Sequence, residues 1–217
     1  PTVHSKAPGA NAATLPAALD LRTTKHLPPI GNQGAVGCCA SMAITYMQFT
    51  NAYSRYIHST NPNSSFNPSS GQNQYLFSPR FTYNLAGAGT AWVYEVLKDH
   101  GTVLQTQSNF QYDSYGGAMD NTMASDWATI DGYWQSAQNF KIKNYDQVWI
   151  GNDPYKFKMT TSDAGLALIE RIKSSLHEGN VVVTGGYPAR WQYATISDRG
   201  TYGKSGERTI CYSKGND

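Results

Sequence analysis

A glycine-rich turn, Gly31 to Ala40, leads into the strongest helical pattern of this chain. Apolar residues recur at helical spacing as far as about Ile57, so the sequence predicts a helix that begins near the adjacent cysteines Cys38 and Cys39. A cysteine at a helix N-terminus lies where the helix dipole favours the thiolate, the nucleophilic form. The nearby amide of Gln33 can donate to an oxyanion. A plainer interpretation fits equally well: a turn followed by a helix with a buried cysteine pair.

The same segment resembles the start of a mature papain-like cysteine peptidase of the C1 family. The residues that carry this resemblance are Leu15-Pro16, Asp20-Leu21-Arg22, Asn32-Gln33-Gly34 and Gly37-Cys38-Cys39. The resemblance implies that Cys39 is the nucleophile and that Gln33 is the oxyanion donor. It also implies that Gly37, Cys38 and Gly89 line the substrate-binding cleft, although Gly89 fits an ordinary loop glycine as well.

Three positions depart from the family pattern. Val36 stands where the family has its first disulfide cysteine, Cys38 where it has Ser or Ala, and Ala40 where it has Trp. A cross-link and a large apolar surface beside the nucleophile are therefore missing. These departures resemble divergent, bacterial-type members of the family more than plant or lysosomal ones.

Helical patterns come first along the chain and strand patterns come later, which indicates an α+β protein. The resemblance implies a papain-like two-lobe fold with a helical lobe and a β-barrel-like lobe. We expect an extended arm over residues 1–15, a mainly helical lobe over 16–140 and the first part of the β lobe over 141–217. Further helices are predicted at 78–85, 91–98, 126–140 and 163–177, and strands at 141–149, 181–183, 191–196, 200–202 and 208–212.

Composition excludes several classes of function. The chain has 17 basic and 15 acidic residues, a formal net charge of +2, which argues against binding to nucleic acid or to an anionic membrane. Charged residues make up only 15% of the chain, below the roughly 25% of average proteins, and tyrosine is abundant. This balance favours a secreted or otherwise exported protein. No apolar run approaches the roughly 18 residues that a membrane-spanning helix needs.

The chemistry that the cysteines indicate needs no cofactor and no metal. The three cysteines, Cys38, Cys39 and Cys211, do not make a disulfide framework, and no Cys/His spacing indicates zinc. We expect reducing conditions to preserve activity, because a thiolate oxidises readily.

A cysteine peptidase needs a base, nearly always histidine, close to the sulfur. The chain has five histidines, His4, His26, His58, His100 and His177. Only His177 falls at a family-like offset, but it ends a helix, where the dipole favours a surface cation. We treat the other four as surface residues. The family order of elements places the catalytic histidine and its asparagine partner beyond Cys211, so we expect a downstream fragment of the same precursor to supply them.

That expectation has a direct test. Denaturing mass spectrometry of the purified protein is expected to reveal a second polypeptide with His-Ala near its start. A single, fully active species of about this length would contradict it.

Two other functions fit the sequence. One is a catalytically inactive papain-fold protein that binds peptides or a partner, which the unusual Cys38 and Ala40 favour. The other is an aromatic-rich, secreted β module that binds glycans with tryptophans as stacking platforms, although tryptophans are more often core residues and the predicted helices speak against it. The tryptophans concerned are Trp127, Trp134, Trp149 and Trp191.

Overall fold

The computed structural model describes residues 15–16, 18–31, 33, 37–106, 131–145, 163–185, 191–195 and 209–213. The chain divides into two compact units, Pro1–Val183 and Thr184–Asp217. The predicted N-terminal arm, the strand at 200–202 and the start of the helix at 126–140 lie outside the described residues.

The first unit is built from helices. Its helices are α1, Cys39–Ser41; a π-helical segment, Met42–Phe49; α2, Thr50–Thr60; α3, Pro79–Ala86; α4, Thr90–Asp99; α5, Asp131–Ala137; and α6, Asp163–His177. Short 3₁₀ turns lie at Leu21–Thr23, Pro68–Ser70 and Asn73–Tyr75. The predicted helix at 163–177 is confirmed at both ends, and the helix at 91–98 extends by one residue on each side.

The first three helical segments follow one another without a break, so Cys39–Thr60 forms one long helix with a wide turn in its middle. The Thr50 hydroxyl contributes to this turn by donating to the carbonyl of Thr45, five residues earlier (3.3 Å). A hydroxyl that bonds back into the backbone ladder loosens α-helical geometry locally. Thr45 in turn meets Thr82 of α3 through a hydroxyl pair at 2.8 Å, and both side chains are buried.

An aromatic cluster around Phe77 forms the centre of the core. Phe77 is fully buried, and its ring centroid lies 4.7 Å from that of Phe49 and 5.1 Å from those of Tyr53 and Phe140. Tilted and edge-to-face aromatic pairs at these separations add to the free energy of burial. The apolar face of α4 completes the cluster with Val93, Val96 and Leu97.

Gly101 ends α4 in a backbone conformation that only glycine adopts readily. Its φ is +80°, and its N–H donates to the carbonyl of Val96 (2.8 Å), which is a helix-terminating arrangement. A Cβ built at Gly101 would lie 2.8 Å from the carbonyl oxygen of Phe140 and closer still to that of Ala137. The glycine therefore allows the chain after α5 to approach the end of α4.

In the second unit the structure describes one antiparallel hairpin. Strand β1, Trp191–Thr195, pairs with β2, Thr209–Ser213, with Tyr193 opposite Cys211. Strands had been expected at these two places.

The predicted α+β, papain-like two-lobe fold with a β-barrel-like lobe is wrong. Helix dominates the described residues, and within them β1 and β2 form the only sheet, a two-stranded one. The valines at 181–183 form no strand: the carbonyl of Val181 accepts from the side-chain amide of Gln48 (2.8 Å), and Val183 packs on the core. A short apolar run is equally compatible with a strand and with an irregular buried segment. Residues 141–145 likewise form no strand, and 146–149 lie outside the described residues.

Replacing Phe77 with Ala is expected to destabilise the protein by about 3–5 kcal/mol, because the change leaves a cavity among several rings. Urea denaturation would measure the free energy of unfolding. Ile30→Ala is the control: Ile30 is 86% exposed, and its loss is expected to change that free energy by less than about 0.5 kcal/mol. Equal effects of the two substitutions would show that Phe77 is not central to the core.

Candidate active site

Cys39 is exposed at the start of the long helix, while the two residues after it are buried. Cys38 precedes the first turn with φ −103° and ψ 21°, and its carbonyl accepts from the N–H of Met42 (3.0 Å). The sulfur of Cys39 is thus accessible on a backbone that Ala40 and Ser41 anchor in the core. This placement suits a side chain that must meet a reactant from solvent without moving.

Cys38 has the opposite character. Its side chain is fully buried and packs with Met42, Tyr46 and Leu76. Burial raises the pKa of the Cys38 thiol to about 11, and the adjacent Cys39 contributes to the rise. Cys38 is therefore a neutral, packed thiol at neutral pH, and only Cys39 of this pair is presented for chemistry.

Gln33 and Gly37 lie on the segment that enters the helix. Gln33 is half-buried, and Gly37 is exposed with nothing within 4 Å of the place where a Cβ would stand. The Tyr46 hydroxyl holds this segment from the helix side by donating to the carbonyl of Pro29 (2.8 Å). The structure thus fixes the chain shortly before Gln33 and leaves the backbone at Gly37 open.

Gly89 immediately precedes α4, and α4 packs against α1. Gly89 has an ordinary extended backbone, φ −80° and ψ 121°, so its conformation does not require glycine. A Cβ there would meet the ring of Trp92 at 3.4 Å. Trp92 itself is 69% exposed and borders an open groove of about 300 Å³ that Leu85, Val96 and His100 also line. Sequence reasoning assigned no binding role to this groove.

His26 and His58 lie far from Cys39. The ring of His26 bonds to the hydroxyl of Ser54 (2.9 Å), and the ring of His58 lies beside it. Ser54 is about four turns along the long helix from Cys39, which is roughly 20 Å at about 1.5 Å per residue. Neither ring can take a proton from Cys39 in this arrangement.

His177 lies near that same distant end. The guanidinium of Arg55, next to Ser54, donates to the carbonyl of Glu178 and to the side chain of Asn180. His177 directly precedes Glu178, so it belongs to the region of Arg55 rather than of Cys39. This placement agrees with its assignment as an exposed residue at a helix end.

The expectation that His26 and His58 are simple surface residues is wrong, because both are half-buried and hydrogen-bonded. Burial and the neighbouring charges of His58, Lys25 and Arg55 lower the pKa of His26 to about 4. The spacing of Ser54 and His58, one helical turn apart, was a usable sequence signal for part of this cluster. The pairing with His26 depends on the tertiary fold.

Trp134 is packed rather than presented for stacking on a glycan. It lies edge-to-face with Phe81 at 5.8 Å and with His100 at 5.3 Å. Trp127 and Trp149 lie outside the described residues.

Within the described ranges, no group of three His, Cys, Asp or Glu side chains could hold a metal ion. None of the helices in those ranges has both the length and the apolar character needed to span a membrane. Comparison with protein-family models, with curated proteins and with solved structures finds no match.

Iodoacetamide at pH 7.5 is expected to alkylate Cys39 at least about ten times faster than Cys38, because the reagent attacks an accessible thiolate. Peptide mass spectrometry over time would measure the rate at each cysteine. In the Cys39→Ser variant, Cys38 is expected to remain unmodified over the same period. Equal rates at Cys38 and Cys39 would contradict the arrangement described above.

Proposed function

We propose that this protein is a cysteine peptidase that hydrolyses peptide bonds through a thioester acyl-enzyme on Cys39. The observation that carries the proposal is the exposure of Cys39 at the amino end of a core helix whose neighbouring thiol, Cys38, is sealed in the interior. The resemblance of the residues from Leu15 to Cys39 to papain-like peptidases supports the same chemistry.

In the proposed reaction the Cys39 thiolate attacks the carbonyl carbon of the scissile peptide bond. The side-chain amide of Gln33 and the backbone N–H of Cys39 donate to the oxyanion that forms. The C–N bond then breaks, and a protonated histidine gives its proton to the leaving amine. Water, deprotonated by the same histidine, hydrolyses the thioester and releases the acid.

The general base is assigned to a histidine carried by a C-terminal fragment of the same precursor, as the resemblance implies. The positions of His26, His58 and His177 support this assignment indirectly, because all three lie near the far end of the long helix. The substrate is a peptide or protein chain, with Gly37 and Gly89 on the binding side. Cys38 was expected to line the cleft as well, but its side chain is fully buried and is left out of the proposed binding surface. The low charge of the chain is consistent with export and with partners other than nucleic acid or membranes.

A catalytically inactive peptide- or partner-binding protein is the second candidate. The placement of His26, His58 and His177 near the far end of the long helix favours it, since a thiol without a base has no route for the proton. Alkylation separates the two functions: an enzyme thiolate reacts faster than glutathione at neutral pH, and a binding protein's thiol reacts no faster.

The decisive experiment measures cleavage of a mixed peptide library by the full-length protein and labelling by a peptidyl epoxide. Cys39→Ser is expected to abolish both, because no other described thiol is presented in the same way. Gln33→Ala is expected to lower kcat by about 10²–10³, the effect of removing one oxyanion donor. Cys211→Ser is the matched control and is expected to retain activity. Full cleavage by the Cys39→Ser variant would refute the proposal.

A further inference from the structure

The distant end of the long helix carries a cluster of side chains that the proposed chemistry does not use. His26 lies on the segment before the helix, and its Nδ1 is 2.9 Å from the hydroxyl of Ser54. His58 lies one turn after Ser54, with its ring centroid 5.1 Å from that of His26 in an edge-to-face arrangement. Ser54 between them is fully buried.

The two histidine rings differ in their hydrogen-bond partners. Both nitrogens of His58 face backbone carbonyl oxygens, at 2.8 Å for Ser54 and 3.1 Å for Ser64. Carbonyl oxygens only accept, so this geometry satisfies both N–H groups of a protonated His58 ring. The Nδ1 of His26 faces a hydroxyl, which can donate to a neutral ring or accept from a protonated one, so the charges around His26 decide which form is favoured.

The charged groups around His26 are mostly cationic. Lys25 precedes it on its own segment, and Arg55 and His58 face it from α2. The carboxylate of Glu178 acts on Arg55. A proton on His26 therefore adds a charge in a part-buried place beside other cationic groups, which disfavours it.

The contact between His26 and Ser54 joins two parts of the chain. Two further hydrogen bonds attach the segment Leu21–Ile30: the Tyr46 hydroxyl donates to the carbonyl of Pro29 (2.8 Å), and the Ser69 N–H donates to the carbonyl of Lys25 (3.4 Å). Of these contacts, the one from His26 involves a ring that titrates on the acid side of neutrality, so a proton on His26 acts directly on the attachment of the segment.

We propose that His26 and His58 form a pH-sensitive latch that holds the segment Leu21–Ile30 on α2 at neutral pH and releases it on acidification. The latch is independent of whether Cys39 acts as a nucleophile. The depressed pKa of His26, about 4, supports it, since the attached state then favours the neutral ring.

The direction of the pH effect follows from the difference between the pKa of His26 in the attached state and its pKa in the released state. When the segment is released, His26 regains its ordinary pKa of 6.5, so the released state binds more protons than the attached state below that pH. Attachment is at full strength above pH 6.5 and weakens as the pH falls through the interval from 6.5 to about 4. Since the segment leads to Gln33, the latch connects acidity to the entrance of the helix that carries Cys39.

Hydrogen–deuterium exchange of the full-length protein, corrected for the intrinsic pH dependence of exchange, tests the latch. Between pH 7 and pH 4, exchange in peptides that cover 18–31 is expected to rise at least about tenfold. This factor is smaller than the one that the whole change in the pKa of His26 would give, because solvent screens the charge of a ring that is only half-buried. Peptides that cover α3 are expected to keep their protection. Equal loss of protection in both regions would mean global unfolding and would overturn the proposal.

His26→Gln keeps an amide beside Ser54 and cannot gain a charge, so it is expected to remove the acid response of residues 18–31. His100→Gln removes an exposed histidine elsewhere and is expected to leave that response intact. An unchanged acid response in His26→Gln would overturn the latch. An NMR titration of the wild-type His26 ring tests it without any substitution: titration near pH 4 supports the latch, and titration near pH 6.5 contradicts it.

Discussion

The burial of Phe77 against the long helix is the interaction on which the rest of the first unit depends. Its ring contacts side chains from the helix and from the chain after α5, while its N–H donates to Thr50 (3.3 Å) and its carbonyl accepts from Gln105 (3.3 Å). Phe77 therefore connects the apolar cluster to the polar side chains of Thr50 and Gln105. Most of the stability of a helix within a protein comes from tertiary packing rather than from intrinsic propensity, so contacts of this kind keep the helix formed.

The polar groups in the core make that packing specific. Thr45 and Thr82 share a hydrogen bond between hydroxyls, and Thr82 also reaches the carbonyl of Pro79 (3.2 Å). Tyr94 donates to Gln48 (2.6 Å), whose amide in turn donates to Val181. Buried and half-buried polar groups that find partners only in one arrangement fix the relative position of α3, α4 and the segment after α6 on the long helix. Because Cys39 begins the long helix, these contacts also fix its position.

Local patterns predicted the helices well and the architecture poorly. The apolar repeat from Ala40, the proline at the start of α3 and the acidic Asp163 in the first turn of α6 are all properties of a few adjacent residues, and each corresponds to a helix in the structure. The valines at 181–183 were misinterpreted, because whether an apolar run joins a sheet depends on partners far away in sequence. The fold class was wrong for the same reason, since it relied on sheet partners that the sequence does not display.

At the candidate site, too, local features could be predicted from the sequence and tertiary ones could not. That Cys39 would begin a helix followed from the sequence, but which of two adjacent cysteines faces solvent did not, because that choice depends on the rotation of the helix against Leu76 and its neighbours. The association of His26 with His58 was also hidden, since the two residues meet only when the segment before the helix folds back along it.

The wide turn of Met42–Phe49 bears on how this helix can change in length. A π-helical stretch contains more residues per unit of axial rise than an α-helix does. Loss of one residue there can be absorbed by tightening the turn, and the side chains on either side then keep their neighbours. The same deletion in α2 would swing every later side chain, Ser54 and His58 included, around the axis and away from its partner. Deletion of a single residue is thus tolerated better in the middle of this helix than in α2.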